Sequence, residues 1–253
     1  MFILLNLTSF TLLTQDTKRF RIRSHNYLAP DPFIVPYLEY AGFGHVIKIS
    51  NCTIDSKFIL AMLERWRPET HTFHLPIGEC TITLEDVYML LGLPIDGKAV
   101  NGSVQQPNSQ CEELLGRDMV EGGGARGQGI LLTDLKRHYA SMELNENSSE
   151  NDRVVKARTY IMILFGTFLF PESTGNNVNF MYLHLLTNFD KTRKFSWGSA
   201  VLAHLYSSLC KNAVKEKCTF YGCAFLLQAW GWWRMESLNP VNNNTFGFPY
   251  ATK

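Results

Sequence analysis

Residues 64–102 read ERWRPETHTFHLPIGECTITLEDVYMLLGLPIDGKAVNG. Just upstream, Asp55 is placed to cap a helix, and Phe58, Ile59, Met62, Leu63 and Trp66 recur on one of its faces. Pro68 ends that helix, because its ring disfavours helical geometry in the residue before it. His71 to Leu75, with Phe73 at the centre, and Glu79 to Leu84 are β-branched and aromatic, which predicts two short strands around Pro76 and Gly78. Thr83 and Asp86, three residues apart, form a capping box for a helix that buries Val87, Leu90 and Leu91. Gly92 suits the left-handed position beyond its end, and Pro94 blocks its resumption. Pro94-Ile95-Asp96-Gly97 is then a turn with glycine at the tight position. Trp66 is expected to be buried and to join the helix to the β element.

Outward from this stretch, helical patterns dominate. Asp31 to Phe43 predicts a short first helix, and Thr133 to Glu143 another. After a polar break at Asn145 to Asn151, a long helix from Asp152 to Phe170 is apolar around almost its whole circumference, the mark of a central helix. Its most apolar part, Tyr160 to Phe170, is about eleven residues, too short to cross a bilayer. Phe180 to Phe189 is a further apolar segment. Ser196 opens a helix whose stripe is Trp197, Val201, Leu202, Leu205, Tyr206 and Leu209. The last helix, Tyr221 to Met235, carries Phe225, Leu226, Ala229, Trp230 and Trp233 on one face and Trp232 off it. Gly122 to Gly129 lacks both the P-loop ending and the dinucleotide-site context, and reads as a flexible connector. The fold class expected is mainly α, a compact multi-helix domain with a small β-hairpin-like element.

Composition narrows the function. The chain has 253 residues, 45% hydrophobic and 19% charged, with a formal net charge of +1. That is globular composition, without a global field toward nucleic acid or anionic membrane. The six cysteines form no Cys-x-x-Cys pair and no zinc-site spacing, so scattered reduced thiols are expected. Near the N-terminus the basic residues Lys18 to Arg23 follow the apolar run of Phe2 to Leu13, the reverse of a secretory signal. Residues 1–24 are therefore read as a poorly ordered leader, 25–238 as the domain and 239–253 as a flexible tail.

The Glu64–Gly102 stretch, with Lys156-Ala157-Arg158-Thr159-Tyr160, Phe168 to Pro171, Phe195 to Ala203 and Gly222 to Trp230, resembles the plant mobile domain family, often labelled aminotransferase-like. The resemblance covers about His25 to Glu236. It implies a nuclear protein of meristem maintenance, genome stability and transposable-element silencing, with protein partners that include phosphatase-like relatives, and no firmly attached reaction. The phosphatase-fused members carry Gly-Asp-x-His-Gly and Gly-Asn-His-Glu motifs, and this chain contains neither. Because members often continue past the tryptophan-rich helix, the resemblance also implies a short or truncated copy.

No catalytic set is expected, and no cofactor, metal or small-molecule substrate. An aminotransferase needs a Schiff-base lysine in a phosphate-binding context, and Lys57, Lys98, Lys156 and Lys194 lack that context. His71 and His74, three apart on a strand, point to opposite faces, which spoils joint metal coordination. Arg65, Arg67, His71 and Trp232 are the candidate interaction residues, since arginine and tryptophan concentrate interface energy. The arginines can equally pair with Glu64, Glu69 or helix-end carbonyls. Trp66, Trp197 and Trp230 are assigned to the core, with Pro68, Phe73, Gly92, Pro94, Asp96 and Gly97 as structural signature. The rival reading is a transposon-derived nucleic-acid-binding domain using the basic clusters Lys18 to Arg23 and Lys191 to Lys194, with weak, salt-dependent affinity.

Overall fold

The computed structural model describes residues 20–22, 28–49, 53–76, 78–102, 107–116, 125–126, 129–213 and 218–235, and the backbone alone of 107–110, 125–126 and 218. Asp31 caps a 3-10 turn by accepting the Phe33 N–H, and Val35–Tyr40 continues as α1. Asp55 caps α2, Ser56–Arg65, which buries Phe58 to Leu63. This helix stops short of the expected end. Trp66 already has extended backbone, and Trp66–Arg67 forms β2, whose partners are Phe73 and Thr72. Pairing with β3, Thr72–Leu75, satisfies backbone groups that the proline had made unsuitable for a helix. β3 pairs in turn with β4, Gly78–Cys80, a shorter strand than the sequence suggested because Leu84 is taken into the next helix.

That helix, α3, spans Leu84–Leu91 and starts with the Thr83–Asp86 capping box. It ends at Gly92 with φ +66°. A Cβ on Gly92 would stand 2.3 Å from the Cβ of His45, so both the dihedral and the contact require glycine. In the turn that follows, Asp96 is exposed and Gly97 has φ +105°. Lys98 N–H donates to the Lys194 carbonyl at 2.8 Å, and a Cβ on Gly97 would meet that same oxygen at 2.3 Å. Gly97→Ala should therefore cost about 1–3 kcal/mol. For a domain of this size that lowers the thermal midpoint by roughly 3–10 °C, measurable by circular dichroism.

Two long helices organise the core. α4, Pro107–Leu115, and α5, Leu132–Ser141, pack with α1 around α6, Glu150–Leu164. The Ser149–Asp152 capping box starts α6 at Glu150, before the expected Asp152, and the helix buries Lys156, Ala157 and Thr159 to Leu164. Phe165–Leu169 then widens into a π turn closed by Phe170 N–H to Phe165 O at 2.7 Å, just before Pro171 removes the next donor. After a 3-10 segment at Phe180–Leu186, α7 is the short Phe189–Thr192. α8, Trp197–Ala213, packs on α2, α3 and β2. α9, Ala224–Arg234, starts three residues later than the pattern suggested and packs on α2 and α3. Phe43, Phe165 and Trp197 join the two groups, with ring centroids 5.0–5.7 Å apart. Trp66, Trp197 and Trp230 are all buried.

The β content is small but not confined to one hairpin. Ala125–Arg126, β5, pairs with Gly129–Leu131, β6, which pairs with Asn177–Asn179, β7. Part of the segment read as a connector is thus a hairpin, while Gly122 to Gly124 lie outside the described residues. Phe20–Ile22, β1, pairs in parallel with Cys218–Phe220, β8, so the assigned leader contains a strand of the fold. The tail, 239–253, lies outside the described residues. The architecture is mainly α with minor β. Among the described residues no helix is long and apolar enough to cross a membrane.

Candidate functional site

The junction after α2 collects most of the predicted site residues. Strand alternation sends Trp66 and Phe73 inward, with centroids 4.8 Å apart. Trp66 also meets Tyr206 of α8 at 5.0 Å, and its indole N–H points at Cys210 Sγ, 3.3 Å away. On the outer face of the sheet, the Glu79 carboxylate accepts from Thr72 Oγ1 at 3.0 Å and lies 3.1 Å from His74 Nε2.

His71 precedes β3 rather than lying in it. Its φ of +54° is the only left-handed non-glycine backbone among the described residues. Its N–H bonds to Arg67 O at 2.9 Å, and its carbonyl accepts from Thr81 Oγ1 at 2.7 Å. The imidazole stacks on Tyr206 at 5.9 Å and reaches Trp66 at 6.1 Å. The structure therefore keeps the two histidines on separate partners, one against aromatic rings and one on a surface carboxylate. No group of three metal-capable side chains occurs among the described residues.

The arginines adopt the helix-end alternative. Arg65 Nη1 donates to Ala61 O at 2.7 Å, and Arg67 Nη1 to Glu64 O at 3.2 Å and Trp66 O at 3.3 Å. Arg65 is half-buried and Arg67 is exposed. Burial lowers the Arg65 pKa, against the opposing charge of Glu64. Of the pair, Arg67 is the one exposed at the surface, beside His71.

On α9 the tryptophans exchange their expected places. Trp232 packs partly against the core, whereas Trp233, assigned to the buried face, is 44% exposed. Trp230 is fully buried 5.3 Å from Phe73. Arg234 pairs with Asp86 at 3.0 Å and ties α9 to the start of α3. Sequence reasoning missed Tyr206 as the organiser of the junction. Its hydroxyl reaches Thr81 Oγ1 at 2.5 Å and Ile82 O at 2.6 Å. Its place in the amphipathic stripe of α8 signalled burial, but not these polar contacts.

Lys156 and Cys111 are both buried. Lys156 Nζ, buried, lies 2.6 Å from Asp31 Oδ2 and 2.5 Å from Met142 O, and stands 5.0 Å over the Tyr139 ring. Burial pushes the Cys111 thiol up to about 12, far from thiolate chemistry.

Comparison with known proteins agrees with the family resemblance of the sequence. A family model described as "Plant mobile domain" matches residues 42–252. Protein MAIN-LIKE 2 of Arabidopsis thaliana is 38% identical over 226 residues, covering 88% of this chain and 33% of that protein. The serine/threonine-protein phosphatase 7 long form homolog of the same plant is 36% identical, over 87% of this chain and 16% of its own length. Protein MAINTENANCE OF MERISTEMS, also from Arabidopsis thaliana, is 32% identical, over 86% of this chain and 45% of its own length. The chain thus spans less than half the length of each of these relatives. No solved structure matches it. With most of its length matched by the family model, the chain belongs to the plant mobile domain family.

Proposed function

We propose that this domain is a non-enzymatic nuclear interaction module, working through protein partners in meristem maintenance, genome stability and transposable-element silencing. One observation carries the reading. The same unit of about 220 residues recurs in proteins of very different total length, named for meristem maintenance in one case and for a phosphatase in another. A part shared by proteins of such different names and lengths is better suited to bringing partners together than to one reaction. The use of Lys156 in a buried ion pair with Asp31 supports a structural role for that lysine.

Direct binding to nucleic acid draws less support. The turn at Gly97 sets Lys98 beside Lys194, adding one cation to Lys191, Arg193 and Lys194. Asp96 and Asp190 lie on the same segments and offset half of that charge.

The test is affinity purification of the intact chain from plant nuclei, with a fluorescent fusion to report location. The expected result is nuclear signal and a defined set of partner proteins, phosphatase-like relatives among them, reduced by Arg67→Ala. Exclusion from the nucleus, or no partner at all, overturns the reading. Duplex-DNA binding that survives physiological salt would replace it with the nucleic-acid function.

A further inference from the structure

Far along the chain from the Trp66 junction, α1, the start of α6 and α7 enclose an open groove of about 440 Å³. Its floor is aromatic, made by Tyr37, Tyr40 and Phe189, with Pro36 beside them. Tyr40 is 48% exposed. Its hydroxyl donates to Asp190, which holds α1 against α7.

The charges on the walls differ in what they already hold. Arg158 stands 5.9 Å over the Phe189 ring, and its donors go to the carbonyls of Leu186 at 2.8 Å, Leu114 at 3.3 Å and Thr187 at 3.0 Å. It is committed to joining segments of the fold. Glu150 and Asp190 have no lysine, arginine or histidine within ion-pair distance among the described residues. At the rim, Arg193 lies 5.1 Å over the Tyr40 ring. The chain thus already uses these rings as cation acceptors. Asn188 uses its Oδ1 on the Asp190 and Lys191 N–H groups, at 2.7 and 3.3 Å, and its amide N–H groups have no acceptor among the described residues.

An aromatic floor between two carboxylates suits an extended chain with a cation on it. Proline-rich segments dock in aromatic-lined grooves because their backbone is already extended, and a basic side chain adds charge pairing at the edge. An acidic segment would meet the same carboxylates unfavourably, while the equal number of arginines, Arg158 and Arg193, are held by backbone carbonyls and by the Tyr40 ring. We propose that this groove binds an extended, proline-containing segment of a protein partner, placing an arginine or lysine between Glu150 and Asp190 and its apolar stem on Tyr37 and Tyr40. The inference rests on the reading of the domain as an interaction module, and names a surface and a partner chemistry for it.

The probe is a synthetic eight-residue peptide of alternating proline and arginine, titrated calorimetrically into the whole chain. A peptide of alternating proline and glutamate serves as control. The arginine peptide should bind and the glutamate peptide should not. Glu150→Gln, which keeps the shape, and Tyr40→Ala should each weaken binding by about tenfold, and raising the salt should weaken it further. Both side chains are exposed; Glu150→Gln should leave the thermal midpoint unchanged, and a cooperative transition shows that Tyr40→Ala folds despite losing its bond to Asp190. Equal binding of both peptides, affinity unaffected by Glu150→Gln and Tyr40→Ala, or no binding overturns the proposal. Nuclear partners captured equally by the wild type and by Glu150→Gln sink the groove alone. A wild-type chain that binds the peptide yet captures no partner sinks the module reading alone.

Discussion

Trp66→Ala should lower the stability of this domain by about 3–5 kcal/mol, a large part of the roughly 5–15 kcal/mol that holds a domain folded. Trp66 is 1% exposed and its indole packs on both β3 and α8. Its removal opens a cavity between Phe73 and Tyr206, and leaves Cys210 without the N–H that points at it. The midpoint of thermal unfolding should fall by roughly 6–20 °C. Arg67→Ala removes two weak bonds from an exposed side chain to carbonyls and should stay within about 0.5 kcal/mol of the wild type. Arg65→Ala loses a half-buried bond to Ala61 O and falls between them, at about 1 kcal/mol. Calorimetry on the three variants ranks them directly. An unchanged Trp66→Ala midpoint with lost partner binding would make the tryptophan a contact residue and the arginines its support.

Lys156→Met is the second large effect expected. Lys156 is 6% exposed, and its ammonium joins α6 to Asp31 and to the chain after α5. Methionine fills similar volume but leaves the Asp31 carboxylate and the Met142 carbonyl without their donor. Breaking a buried pair on one side costs about 3–5 kcal/mol, because an uncompensated charge remains. Asp31 keeps some contact with water, which places this case at the lower end.

The effect carries a pH signature. Burial alone would raise the Asp31 pKa, but the bond from Lys156, the Phe33 N–H and the nearby ammonium charge outweigh it and hold the carboxyl below its ordinary 3.8. A carboxyl whose folded pKa is depressed contributes stability above the unfolded value and loses it as pH falls through the folded one. The gap between wild type and Lys156→Met should therefore be full at pH 7 and shrink below about pH 4. Urea unfolding across that range reads it, and a gap independent of pH would assign the loss to packing.

Much of this fold is written in local chemistry. The Thr83–Asp86 box, the left-handed Gly92 and the Gly97 turn are each decided by a few adjacent residues, and each lies where the sequence places it. Trp197 and Trp230 follow from helical spacing, whereas Trp66, expected at the end of α2, is buried from the strand β2. What was not legible depends on distant parts of the chain. The Trp232–Trp233 exchange is one case. Spacing says which face of a helix turns inward, but not where the neighbour that buries it ends. The helix from Ser149 widens into a π turn where packing around Phe165 meets the missing donor of Pro171, a tertiary effect with no local pattern. The groove is assembled from residues 36–40, 150–158 and 187–190, so no single window of sequence contains it.

The parallel ladder between Phe20–Ile22 and Cys218–Phe220 sets a timetable for biosynthesis. A ribosome adding about 5–20 residues per second needs roughly 10–40 s to travel from one strand to the other. Through that interval the first strand has emerged without its partner. The Asp55 N–H also waits for the Gln228 side chain, and Asp86 for Arg234. Completion of the domain therefore waits until residues 218–235 have left the ribosome. A nascent chain halted before Cys218 exposes an unmatched strand edge, the kind of surface that holding chaperones cover.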